Sequence, residues 1–405
     1  MIKLIKDGGI CSPKGFMAAG VHCGIRKNRT KKDLALVFSS FPSTAAAIYT
    51  TNLVKAAPLL VTKKHLKNGA ARAIIINSGI ANACVKDGIE TAFAMTKITA
   101  NALGLKKEEI LVASTGIIGQ SLNLTPIQNG MGQLVSELSE NGGDNATEAI
   151  MTTDTFPKQV AAFFELNGKT ITIGGMAKGS GMINPNMATL LGFLTTDAEI
   201  DAALLSSSLK AVAQESFNRI SIDGDTSTND MVAILANGQS GVKIESQSES
   251  YQKFTACLKE VCVCLAKLLA KDGEGATKLL EVCVRGAKTE KDAIKIADSV
   301  INSPLVKTAM FGKDANWGRI LCATGYSKAK FAVDKVDIVL KSKDGEIAVC
   351  KSGAGLPFCE STAKEVLQSN EIIIDISLNQ GNKNATSWGC DLSYDYVKIN
   401  GDYRT

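Results

Sequence analysis

Short runs rich in β-branched residues, alternating with stretches of helical periodicity, constrain this chain more than any other feature. The runs fall at 34–39, 46–50, 73–77, 110–113, 170–174, 188–195, 230–236, 279–284, 336–340 and 372–378. Residues 91–103, 127–140, 202–215, 251–270 and 289–301 repeat their apolar positions with the period of an amphipathic helix. Asn167-Gly168 follows 164–166, and Asp344-Gly345 separates 336–340 from 347–350, so two local hairpins are expected. Hairpins mixed with intervening helices predict an α/β (α+β) chain whose mixed sheets are layered with helices. The polar stretches 140–147 and 237–251 read as loops, and Pro304 lies near a boundary before a last unit.

At 405 residues the chain is too long for one small core, and two or three packed units are expected. Its net charge of +5 is spread over interspersed acids and bases. The pairs Lys31-Lys32, Lys63-Lys64 and Lys106-Lys107 lack interleaved aromatics, which argues against nucleic acid as a partner. The eleven cysteines are an odd number, many within apolar segments such as Leu321-Cys322 and 261–264, so reduced, buried thiols are expected. Two histidines and no Cys-x-x-Cys pair give no ligand set for a structural zinc, so no metal is expected. No apolar stretch is long enough to span a bilayer and the first residues lack a leader's apolar region, so a soluble, cytoplasmic protein is expected.

The most chemically specific segment runs from Lys178 to Asp197. A glycine- and proline-rich loop leads to Ala188-Thr189 and then into the apolar run Leu190-Leu-Gly-Phe-Leu. Alone, Thr189 would read as a strand threonine, because threonine suits a pleated sheet. Cleavage of the Ala188–Thr189 bond would instead place a hydroxyl and a free α-amine on one residue. With an ordinary pKa of about 8, that amine needs only a modest downward shift to act as the base for its own hydroxyl. The small side chain of Ala188 leaves room for the hydroxyl to attack the preceding carbonyl.

Further segments align with this one: 73–79 with 81–84, 113–119, Met151-Thr-Thr-Asp-Thr155, 223–230, Gly273-Glu-Gly-Ala-Thr-Lys278 and 306–319. In this order, from Gly8-Gly9 to Thr405, the chain resembles the ornithine acetyltransferase (glutamate N-acetyltransferase) family of arginine biosynthesis. The resemblance implies a four-layer α/β/β/α sandwich as catalytic body, residues 1–285, containing the self-cleavage site. It also implies a smaller C-terminal α/β unit, residues 286–405, whose tail returns to the active site. Thr189 would be the nucleophile, with the Thr115 hydroxyl and Gly116 amide as oxyanion hole. Gly116 could equally serve a strand-to-helix turn. Thr152, Lys178, Thr189, Glu274, Asn400 and Thr405 would contact substrate, and Thr152 and Thr153 are not distinguished. Ile80 stands where the family usually has asparagine, and Val85-Lys86 where Thr-Gly is common, so the range of acetyl donors is left open.

The implied reaction moves acetyl from N2-acetyl-L-ornithine to L-glutamate by double displacement through acetyl-Thr189. No cofactor is expected, although acetyl-coenzyme A stays open as a co-substrate. The implied assembly is α2β2, built from the two chains of one precursor. Two alternatives compete. One is a self-processing amidase or aminopeptidase of the same architecture, although such relatives usually present serine. The other is a non-catalytic amino-acid-binding protein that is never cleaved.

Overall fold

The computed structural model describes residues 1–28, 30–184 and 190–402. Two sheets form the body. One joins, in order, Lys3–Leu4, Lys158–Leu166, Lys169–Lys178, Leu191–Thr196, Met231–Ala236 and Thr44–Tyr49. The other joins Phe16–Val21, Leu34–Ser39, Ala73–Ile80 and Ile110–Ile117. Side-chain alternation along the strands explains why they stack. Ile74 and Ile76 face a core shared with Met176, Phe193 and Ala233 of the larger sheet. Ala73 and Ile75 face the opposite way, onto Val61, Met95 and Leu134 of the helices Ala57–His65, Gly88–Leu103 and Thr125–Ser136. The outer face of the larger sheet, with Ile173, Leu194 and Val232, packs on Leu209 and Leu258 of the helices Ala202–Gln214 and Glu249–Lys271. Helix, sheet, sheet, helix is therefore the order of layers. Each fully buried Phe or Ile in these cores contributes about 1.5–3 kcal/mol.

A third sheet runs Ile220–Ser221, Lys383–Cys390, Leu279–Ala287, Glu371–Ser377, Asp337–Ser342, Gly345–Lys351 and Ala354–Gly355. It has its own core, in which Val282, Ile296, Met310, Ile338 and Ile374 meet. The strand Leu279–Ala287 pairs with Glu371–Ser377 on one side and Lys383–Cys390 on the other, so a division between 285 and 286 falls inside it. Pro304 opens the helix Pro304–Phe311, where a missing N–H costs nothing.

The Asn167-Gly168 hairpin forms as expected, with Leu166 opposite Lys169 and both turn residues at positive φ. The second hairpin turns one residue earlier, through Lys343-Asp344, with Ser342 opposite Gly345. Residues 140–147 are not all loop: the helix Gly143–Ile150 begins there and buries Ala146, Thr147 and Ile150. Its outward Asp144 and Asn145 made a short amphipathic helix look like a polar connection. The cysteines are all unpaired, but Cys84, Cys322 and Cys359 are exposed, which corrects the expectation of burial. Cys322 lies on the outer face of the helix Trp317–Gly325, whose buried positions are Ile320, Ala323 and Thr324. Among the described residues no helix is long and apolar enough to cross a membrane.

Candidate active site

The parallel strands Ala73–Ile80 and Ile110–Ile117 run in register to their C-terminal ends, with Ser78 opposite Thr115 and Gly79 opposite Gly116. Gly116 has φ +128°, and a Cβ there would stand 2.3 Å from the Gly79 carbonyl carbon. Only glycine fits this close approach, and it leaves the Thr115–Gly116 peptide at the sheet edge. Asn229 donates from Nδ2 to the carbonyls of Ala81 (2.7 Å) and Ser114 (2.8 Å), pinning the backbone just before Thr115.

Lys178 ends the strand Lys169–Lys178 and is paired there with Leu191, the first strand residue after position 189. Its Nζ donates to Thr115 Oγ1 at 3.4 Å. A hydroxyl that accepts from an ammonium keeps its own proton for another acceptor, which is what an oxyanion donor requires. Burial pushes the Lys178 pKa below the ordinary 10.5, and the neighbouring Asp154 carboxylate opposes that shift. Burial disfavours ionisation of Asp154 as well, yet Lys178 and Lys158 hold it well below the usual carboxylate range.

Glu274 enters from the loop after the helix Glu249–Lys271, its backbone N–H donating to Ser180 O at 2.6 Å. The next residue, Gly275, adopts φ +70° and lies against the backbone of Tyr396, where a Cβ would approach to 2.5 Å. This contact seats the start of the helix Tyr394–Asp402. Near the other end of that helix, Asn400 donates from Nδ2 to Glu274 Oε2 at 2.9 Å. Met182 and Ile183 donate their N–H groups to Asp223 at 2.6 and 3.0 Å, which anchors the chain a few residues before position 188.

Thr115, Gly116, Thr152, Lys178, Glu274 and Asn400, expected from sequence, line one cavity of about 230 Å³. Ala188, Thr189 and Thr405 lie outside the described residues. Thr152 and Thr153 both reach the wall, where Thr153 Oγ1 meets Ser180 Oγ at 2.6 Å and Thr152 Oγ1 meets Asp154 at 3.4 Å. Larger cavities of about 770 and 570 Å³ are lined by none of the candidate residues, so volume does not select the site. Sequence reasoning assigned no role to Asn229, Ser227 or Gly181, which also line the cavity. The first two belong to the 223–230 segment, whose density of polar side chains just before an expected strand was the available signal. The cavity thus presents an ammonium and a carboxylate in one lining with hydroxyl and amide groups. Such a lining suits a small molecule that carries both an amine and a carboxylate.

The sequence model of the ArgJ family matches residues 17–405. A curated relative from Caldanaerobacter subterraneus subsp. tengcongensis, named arginine biosynthesis bifunctional protein ArgJ, is 53% identical over 99% of this chain and 100% of its own length. One of the same name from Bacillus subtilis is 46% identical, with 100% of both chains covered. Among solved structures, an arginine biosynthesis bifunctional protein ArgJ from Bacillus halodurans is 43% identical with a TM-score of 0.50. The match covers 52% of this chain and 98% of that one.

Proposed function

The chain belongs to the ArgJ family, and on that premise we propose that it is an N-acyltransferase of arginine biosynthesis that moves acetyl from N2-acetyl-L-ornithine to L-glutamate. The observation that carries this reading is the convergence of Thr115, Gly116, Lys178, Glu274 and Asn400 on one cavity, beside the strand that follows position 189. Thr189 acts as nucleophile once the Ala188–Thr189 bond is cut, and its freed amine is the base. As the Thr189 hydroxyl attacks the acetyl carbonyl, the developing oxyanion takes hydrogen bonds from the Thr115 hydroxyl and Gly116 N–H. The tetrahedral adduct expels the ornithine amine, which picks up the proton held by the Thr189 amine. Glutamate then repeats the sequence in reverse on acetyl-Thr189, which makes the kinetics ping-pong. Glu274 meets the substrate's amine, and Lys178, which lines the same cavity, meets its carboxylate.

The Bacillus halodurans chain is matched over nearly its whole length yet spans about half of this one, which supports a mature form of two polypeptides. Acetyl-coenzyme A is proposed as a second donor, favoured by the word bifunctional in the relatives' names. A cytoplasmic location and an α2β2 assembly belong to the same proposal.

A denaturing gel and N-terminal sequencing test the maturation. Wild-type protein is expected as two bands, the second beginning at Thr189, with no more than one equivalent of ornithine released per enzyme unless glutamate is present. Thr189→Ala is expected to stay one chain and to lose about 10⁴-fold or more in turnover. An uncut Thr189→Ala protein with full transferase activity would overturn the mechanism, and glutamate-independent ornithine release continuing beyond one equivalent per enzyme would identify a hydrolase.

A further inference from the structure

Beneath the cavity, and outside its lining, sits a buried cluster of charges that the chemistry above leaves unused. The Lys158 side chain is fully enclosed, with Nζ 2.7 Å from Asp154 Oδ1 and 2.5 Å from Asp272 Oδ2. It lies 5.0 Å from the centre of the Phe156 ring. Each carboxylate orders a different stretch of backbone. Asp154 accepts from Gly179 N–H at 2.7 Å, directly after Lys178, and from Thr152 N–H at 2.8 Å. Asp272 accepts from the N–H of Thr155 at 3.0 Å and from its hydroxyl, and it stands two residues before Glu274. The stretches around Thr152, Gly179 and Asp272 are therefore tied to one ammonium, directly or through Asp154, and each carries or adjoins a wall residue of the cavity.

A buried ion pair adds little net stability over an apolar pair of the same volume, because desolvation offsets the Coulomb attraction. Methionine would fill the space around Lys158 but could not hold two carboxylates together. The ammonium also balances the local charge, since Lys158 and Lys178 stand against Asp154 and Asp272.

We propose that Lys158 is a positioning residue for substrate recognition: clamped between Asp154 and Asp272, its ammonium holds the segments bearing Thr152, Lys178 and Glu274 in one register. The inference rests on the transferase reading above. Lys158 touches no substrate; it sets the distance between the amine-binding carboxylate and the Lys178 ammonium.

Lys158→Met and Asp272→Asn, each purified as the mature enzyme, test this. Asp272→Asn keeps an acceptor for Thr155 but loses the charge that holds Lys158, so it serves if Lys158→Met does not fold. Glutamate-dependent ornithine release gives KM and kcat, and calorimetry gives ornithine affinity directly. Misplacement of the walls by about 1 Å is expected to raise KM for N2-acetyl-ornithine and weaken ornithine binding about ten- to a hundred-fold, with a much smaller change in kcat. The double variant is expected to lose little beyond the worse single one, because both break the same clamp. A folded variant with wild-type KM and ornithine affinity, and only a lower melting temperature, would overturn the proposal. Failure of the transferase reading looks different, since the wild type itself would then show no glutamate-dependent ornithine release.

Discussion

The floor and the rim of the cavity are built in different ways. The floor consists of the ends of paired strands: Thr115 and Gly116 close the pair with Ala73–Ile80, and Lys178 closes the pair with Leu191–Thr196. Thr115 and Lys178 are buried there. The rim consists of the Glu274 loop and the helix Tyr394–Asp402, which buries none of its own residues and presents an exposed Asn400. Sheet ends hold donors to a fraction of an ångström, which charge development in a transition state demands. A surface helix seated on one glycine holds its side chains less tightly, which suffices for recognition. On the proposed mechanism the oxyanion donors lie on the floor with Lys178, and Glu274 and Asn400, proposed to select substrate, lie on the rim.

The sharpest way to break that division is to change the floor. Thr115→Ala removes one oxyanion donor and is expected to slow both self-cleavage and turnover by about 10²–10³-fold, mainly in kcat. Thr115→Ser keeps the hydroxyl and should retain most of each rate. Gel-based maturation rates beside steady-state kinetics would check this, and a wild-type alanine variant would remove Thr115 from the floor's chemistry.

On the rim, Glu274→Gln is expected to cost about 1.5–3 kcal/mol of contact with the substrate amine, roughly a ten- to hundred-fold fall in kcat/KM. Acetyl-Thr189 should still form at saturating donor and be visible by mass spectrometry; its absence would move Glu274 to the floor's class. Asn400→Ala removes only a neutral, exposed hydrogen bond and should cost about 0.5–1.5 kcal/mol, read in KM alone.

A smaller effect separates the two lysine states. Because burial depresses the Lys178 pKa, the cation is lost as pH rises through a value below 10.5. Activity should rise with pH as the Thr189 amine loses its proton, then fall at an alkaline limb lower than a surface lysine would give. Lys178→Arg, which stays charged, should move that limb upward. An unmoved limb would assign it to another group.

Much of the site was legible in the linear chain. Thr115-Gly116 after an apolar run and Gly273-Glu-Gly275 are local patterns singled out through the family resemblance, and the fold brings Thr115, Gly116 and Glu274 to one cavity. Lys158 was not legible, since a lysine near a proline and a phenylalanine reads as surface until the fold encloses it. Neither was Asn229, whose two acceptors, Ser114 within a strand and Ala81 just past the end of its neighbour, are distant in sequence.

By itself, then, the order of amino acids determined what near neighbours can decide: strand faces by alternation and the Asn167-Gly168 turn by its tolerance of positive φ. Tertiary structure alone decided which of these local features would meet. Lys158 and Asp272 are 114 residues apart, and Asn400 and Glu274 are 126 apart. Contacts at such separation are selected by the packing of whole sheets and helices, and no short window of sequence contains that information.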